Sequence, residues 1–335
     1  MGELAKEFLG CLLTAAQYAL LALIAPALAM PAEVGVAAGL LGCCLPLDWA
    51  VETTGGGHAN LAGLMLILAV LVTANAWKQQ AITARHGMLQ GLMWGAVSLV
   101  SSAFLAVEVG LVASGLVIWR KRLPAPIQFA GSMALGTLIA LAPWGIRNWV
   151  KLGYPVLTRS NLGLEMYVSN NDLAAPTLSL NTPSLETFHP TFNSDVAKQV
   201  RERGEIAFNR QYMRLAVNWI RTNPKRFTEL TLERMQGFWL RWYDDSPVRM
   251  FLLGLLTLGG FAGLTMLWRK DRAAAWVLWT VELTFPLIYY VVQTSPRYRY
   301  PIYWISLLGS VYGVSRLSRS PAKHDQGRAP DIPLT

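Results

Sequence analysis

Long apolar runs separated by short charged clusters dominate this chain. They cover residues 8–30, 34–51, 59–77, 88–119, 127–146, 250–268, 273–293 and 301–314. Most approach the roughly 20 residues with which a helix crosses the hydrocarbon core of a bilayer. The run 88–119 is too long for one comfortable crossing and has Ser101, Ser102 and Glu108 near its middle. Charge decides between one tilted helix and two short ones. Lys78 and Arg85 precede the run and Arg120, Lys121 and Arg122 follow it. Basic loops gather on the cytoplasmic side, so an even number of crossings must separate these clusters. The pattern predicts a hairpin, with Glu108 at its watery apex.

Carried along the chain, this parity puts the segment after Ile146 outside, Arg269–Arg272 inside, Ser295–Arg299 outside and the tail from Arg316 inside. It also puts Met1 outside, so an odd number of spans is expected before it. The expected fold is an all-α polytopic membrane protein, a bundle of 8–9 transmembrane helices with a small, mainly helical extracytoplasmic insert. Its parts are a transmembrane bundle over 1–146, the insert with an interfacial helix over 147–249, further spans over 250–315 and a disordered cytoplasmic tail over 316–335.

Trp144, Trp149, Trp239 and Trp242 flank the insert as interfacial aromatics do. Within it, residues 154–192 are rich in Asn, Pro, Thr and Ser and predict loop with a few short strands. Ser194 reads as the N-cap of a helix over 195–221 that is weak at Gly204. Pro224 opens a second helix, amphipathic through Phe227, Leu230, Met235, Phe238 and Trp239.

Composition supports the membrane reading. Hydrophobic residues make up 53% of the 335, and charged ones only 15%, against about 25% in a soluble domain. The net charge of +9 sits at the ends of apolar runs, which argues against nucleic acid as a partner. Cys11, Cys43 and Cys44 fall inside apolar runs and read as buried thiols, and four scattered His offer no zinc spacing.

Four constellations could carry chemistry. The first runs from Pro143-Trp144 through Arg147-Asn148 to Glu165, Asn170 and Asn171; a capped surface loop would use the same residue types. The second is the outer loop with Asp48, Glu52 and His58, acids able to take a proton or hold a divalent cation, or simply a solvated turn. The third is Arg297-Tyr298-Arg299, two guanidinium groups suited to phosphate or to snorkelling at an interface. The fourth is Glu282, an intramembrane carboxylate expected to face a polar cavity or an Arg.

In order and spacing, several motifs resemble the bacterial GT-C membrane glycosyltransferases, the proteins similar to protein O-mannosyltransferases and lipid A aminoarabinose transferases. They are Pro143-Trp144-x-Ile146-Arg147-Asn148, Asn161-x-Gly163-Leu164-Glu165-x-Tyr167-x-Ser169-Asn170-Asn171, His189-Pro190, Gly204-Glu205, Trp219-Ile220, Asn223-Pro224, Arg226-Phe227, Phe238-Trp239 and Arg297-Tyr298-Arg299-Tyr300-Pro301. The resemblance implies a multi-pass inner-membrane enzyme that moves a sugar, with inversion, from a polyprenyl phosphate to a protein, lipid or glycan acceptor outside. It implies phosphate contacts at Arg147, Arg297 and Arg299, with Tyr298 beside them, and a cavity shaped by Glu165, Asn170 and Asn171. The family's catalytic acid follows its first span. Residues 8–30 match its second, so that span and loop have no counterpart here, which leaves Glu52, Asp48 and His58 as candidates for the catalytic group. A non-catalytic binder or assembly partner of lipid-linked sugars would keep the same groove without the base.

Overall fold

The apolar runs become helices in the computed structural model, which describes residues 2–47, 51, 58–122, 124–240 and 247–318. The first group is α1 (Glu3–Ala27), α2 (Ala32–Cys44), α3 (Ala59–Lys78), α4 (Ala84–Val100), α5 (Phe104–Ile118) and α6 (Ala125–Leu152). The insert follows, with α7 (Leu162–Ser169), α8 (Thr182–Phe188), α9 (Ser194–Arg203), α10 (Glu205–Thr222) and α11 (Pro224–Trp239). The chain returns to the bundle with α12 (Pro247–Trp268), α13 (Arg272–Thr284), α14 (Leu287–Val291) and α15 (Pro296–Ser318). Among the described residues no strand forms, and an isolated bridge joins Thr177 to Thr294.

Among the described residues, five stretches are long and apolar enough to cross a membrane: Leu4–Ala27, α3, α6, α12 and Arg272–Val291. Their outward faces carry Phe8, Leu23, Leu138, Phe251 and Leu283. In water such a continuous apolar exterior would drive association; against lipid it is the ordinary surface of a bundle. The chain is a helical, multi-pass membrane protein.

The expected hairpin is present. α4 stops at Val100, Ser101 turns extended (φ −144°, ψ 117°), and α5 begins at Phe104. Glu108, however, is not at the apex. It lies a turn deeper, only 6% exposed, and accepts a hydrogen bond from Thr137 of α6. Ser101 and Ser102 hold the apex instead.

Helices meet where side chains are small. A Cβ on Gly91 of α4 would stand 1.9 Å from the Met133 carbonyl oxygen of α6, and one on Gly263 of α12 would stand 1.8 Å from that of Gly309 in α15. Such close backbone approach is how helices gain contact in lipid, where burial supplies no driving force. Buried polar pairs add to it. Thr73 of α3 donates to Gln90 of α4 at 2.8 Å and accepts from Trp94 Nε1 at 3.1 Å, contacts worth about 0.6 kcal/mol each in a membrane protein.

Polar contacts sort the helix ends into two sets. At one end Lys78 pairs with Asp271 at 2.7 Å and donates to the Ala27 carbonyl, while Arg122 donates to Gln80. At the other, Asn60 donates to Thr14 at 2.7 Å, Arg249 donates to the Leu47 carbonyl at 2.6 Å, and the insert covers the bundle. Helices α1, α3, α5, α12 and α15 run toward the basic end; α2, α4, α6 and α13 run toward the insert.

Other expectations need correction. Residues 154–192 form α7 and α8, not strands, because Leu164, Val168 and Leu185 pack with Val196, Phe208 and Tyr212 into a core of the insert's own. Asn193, not Ser194, caps α9 by accepting from the Asp195 and Val196 N–H groups at 3.0 and 3.2 Å. The run 273–293 breaks at Phe285-Pro286, and the last helix starts at Pro296 rather than Pro301. Cys11, Cys43 and Cys44 are exposed on the outer faces of α1 and α2; an apolar run shows that a thiol is in the membrane, not which way it faces.

Candidate functional site

The insert fixes where α15 begins. Val292 N–H still closes onto the Ile288 carbonyl at 2.9 Å and the Ser295 carbonyl accepts from Tyr298 N–H at 3.0 Å, but between them Gln293 and Thr294 take their partners from the insert. Thr294 N–H donates to the Pro176 carbonyl and receives the Leu178 N–H at its own carbonyl, both at 2.9 Å. Gln293 N–H donates to Ser169 Oγ at 2.9 Å, and Asn181 donates to Gln293 Oε1 at 2.5 Å. From α11, the fully buried Arg234 donates to Asn170 Oδ1 at 3.1 Å, to the Val291 carbonyl at 2.7 Å and to the Ser169 carbonyl. The first turn of α15 is thereby held against α7.

At that junction lies a cavity of about 650 Å³. Its floor is the hairpin apex, Ser101, Ser102 and Ala103, with Leu105 and Ala106. One wall is His58, Ala59 and Ala62 from α3; another is Arg159, Asn161, Leu162 and Glu165; the third is Tyr289, Arg297, Tyr298 and Pro301. Tyr289 and Tyr298 stack at 4.5 Å between centroids, nearly parallel, and Arg297 lies 4.9 Å over Tyr298 while donating to its hydroxyl at 2.8 Å.

The charged groups act on one another. Arg159 Nη2 is 3.0 Å from His58 Nε2. A guanidinium can only donate, and Arg159 Nη2 also lies 3.4 Å from His58 Nδ1, so the imidazole meets the cation with an unprotonated ring nitrogen. Burial, then Arg159 and Arg297, hold the His58 pKa below the usual histidine value. Burial pushes the Glu165 carboxyl above the ordinary carboxylate range, against the opposing pull of Arg297, Arg159 and the 3.0 Å hydrogen bond from Asn161. Two guanidinium groups and one described carboxyl leave the lining positive, beside two tyrosine rings and over a floor of two serines and three apolar residues. Such a pocket accepts an anion attached to an apolar or ring-shaped group, beside one carboxylate able to take a proton.

His58, Glu165, Arg297 and Tyr298 come together here. Asp48 and Glu52, and with them the proposed cation-holding acids, lie outside the described residues. Among the described residues no three His, Cys, Asp or Glu cluster as metal ligands do. Arg147 lies next door, in a separate cleft of about 500 Å³ that shares Thr158, Arg159 and Asn161 with the cavity. Its guanidinium stacks 4.9 Å over Trp144 and donates to Asn148 Oδ1 at 2.9 Å.

Asn170, Asn171 and Arg299 are placed elsewhere. Asn170 donates to the Met166 and Val291 carbonyls, and Asn171 donates to the Tyr167 carbonyl and to Ser184 while accepting from Leu173 N–H. Both amides close the end of α7 rather than line the cavity. Arg299 points the opposite way from Arg297, because residues two apart on a helix differ by about 200°. It is fully buried, donating to the Trp239 carbonyl at 2.9 Å and to Thr257 at 2.6 Å, with Glu282 of α13 as a buried electrostatic partner.

The sequence reading missed Arg159, Tyr289 and the serines of the apex. Arg159 carried a usable signal, since it is a basic residue in a segment assigned to the outer side, the same argument that singled out Arg297. Tyr289 carried none, because an aromatic at the end of an apolar run reads as interface belt. No family model, no curated protein and no solved structure matches the chain.

Proposed function

We propose that the chain is a membrane glycosyltransferase that holds the phosphate of a polyprenyl-phosphate sugar in this cavity and passes the sugar to a protein, lipid or glycan acceptor. The observation that carries the reading is the meeting of Arg159 and Arg297 with Glu165 and two tyrosine rings above the hairpin apex at the bundle rim. Arg297 and Arg159 bind the phosphate, and Tyr289 and Tyr298 offer a ring face to the sugar. Glu165 takes the proton of the acceptor hydroxyl or amine as its oxygen or nitrogen attacks the anomeric carbon. The bond from that carbon to the phosphate oxygen breaks with inversion, and polyprenyl phosphate leaves with the electron pair, stabilised by the two guanidinium groups. The resemblance to GT-C enzymes supports the same assignment. In this reading nine helical passes span a bacterial inner membrane, with the insert extracytoplasmic and the tail from Arg316 cytoplasmic; the clustering of Lys78, Arg122 and Arg269 at the end opposite the insert favours that orientation.

The test is binding and turnover of a radiolabelled short-chain polyprenyl-phosphate hexose by the purified chain in lipid nanodiscs. Saturable binding with release of polyprenyl phosphate is expected, and both should be weakened in Arg297→Gln. Unaltered binding in that variant removes the donor-site assignment. Binding without release, across protein, lipid and glycan acceptors, makes the chain a binder of the lipid-linked sugar rather than a transferase.

A further inference from the structure

The end of the bundle away from the insert holds a second site. A cleft of about 440 Å³ opens between the C-terminal ends of α12 and α15, lined by Met266, Arg269, Lys270, Arg316 and Leu317. Three cations thus converge on an apolar floor. No ion pair forms with any of them among the described residues, and the nearest acid in sequence, Asp271, is already engaged. It pairs with Lys78 at 2.7 Å and caps α13 by accepting from Ala274 N–H at 3.0 Å.

Helix C-termini attract cations, so that effect has to be subtracted first. Each terminus presents about half a negative charge. Two termini account for about one of the three cations, which leaves about two positive charges unanswered. Water and salt would serve on an open surface, but this cleft sits where the membrane-crossing α12 ends beside the end of α15. Next to Arg316, Leu317 is 67% exposed and Val314 is 68% exposed, an apolar flank at the same level as the cations. A free phosphate would use the charges and ignore that flank; a phospholipid uses both.

We infer that the cleft between α12 and α15 binds the headgroup phosphate of an anionic phospholipid, with the acyl chains lying along Val314 and Leu317. Basic pockets between membrane helices are the usual receptors for such headgroups. The inference needs only the membrane bundle and is independent of any reaction at the opposite end.

The full chain, purified in mild detergent, is examined by native mass spectrometry with cardiolipin, phosphatidylglycerol and phosphatidylcholine at equal concentration. Thermal unfolding is followed with the same lipids and with inorganic phosphate. Cardiolipin and phosphatidylglycerol should be retained about tenfold better than phosphatidylcholine and should raise Tm, and phosphate should not. The triple variant R269Q/K270Q/R316Q should lose the preference. A control triple, R85Q/R120Q/K121Q, removes three exposed charges from the same end but none from the cleft, and should keep it. Equal retention of phosphatidylcholine, equal loss in both triples, or equal protection by inorganic phosphate would each overturn the inference.

Discussion

Two neighbouring regions at the insert end are built from the same residue types and do different things. The cavity is walled by Arg159, Arg297, Asn161, Glu165 and two tyrosines. Just beneath the insert lies a polar knot of Asn170, Asn171, Asn181, Arg234 and Gln293. In the knot the amide and guanidinium groups bind protein: Asn181 accepts from Ala175 N–H at 2.8 Å and donates to Gln293, and Arg234 holds three carbonyl or amide oxygens. In the cavity, among the described residues, Arg297 hydrogen-bonds only its neighbour Tyr298 and Arg159 only His58. A dense run of Asn and Arg therefore does not mark a site. What distinguishes the regions is whether distant chain segments have already saturated the polar groups.

The largest effect expected is on the knot. Arg234→Met strands the Ser169 carbonyl and Asn170 Oδ1 in a buried place and takes one of two donors from the Val291 carbonyl, a loss on the order of 3–5 kcal/mol. It should appear as a collapse of Tm in detergent; a Tm near wild type would show that the knot does not hold the insert. Next, Glu165→Gln should slow sugar transfer about a hundredfold while donor affinity stays within about twofold. The pH dependence carries a sign. Burial raises the carboxyl pKa, and a base must be ionised, so wild-type transfer should rise with pH through a value above 4.5 and the Gln variant should lack that limb.

A sharper comparison sets two arginines of one helix against each other. Arg297→Gln should weaken polyprenyl-phosphate binding about 10- to 100-fold, the loss of one charge-assisted contact, and leave Tm unchanged. Arg299→Gln should do the reverse, lowering Tm through its lost bonds to the Trp239 carbonyl and Thr257. The same phenotype from both would erase the distinction between lining and core. The smallest effect belongs to Arg159→Gln, a few-fold loss in donor binding. Its clearer readout is the His58 imidazole, whose pKa should move up toward 6.5 in an NMR titration once the neighbouring cation is gone.

Legibility from sequence followed the range of the interaction. The α4–α5 hairpin could be read because it rests on local facts, a run too long for one crossing and basic flanks of equal sign. Pro224 as a helix start is local too. The fate of Asn170 could not be read, because its partners at Val291 and Arg234 lie 121 and 64 residues away. Reading the last span from Pro301 leaves Arg297 and Arg299 side by side ahead of it; once the helix starts at Pro296, geometry separates them. His58, Glu165 and Arg297 were named individually from charge and position. Their meeting in one cavity depends on Gln293 and Thr294 being pinned to the insert, which no local pattern announces.

The hairpin that floors the cavity is short for its surroundings. α4 has 17 residues and α5 has 15, about 25 and 22 Å of helix, against roughly 30 Å of hydrocarbon. A bilayer meeting this pair must thin or let the turn sit below its surface. Either way the water boundary dips toward Ser101 and Ser102, and a lipid phosphate beside the hairpin rides lower than its neighbours. A long-chain lipid sliding in from the side would then meet the cavity at headgroup depth, and its phosphate would not have to be lifted out of the membrane plane.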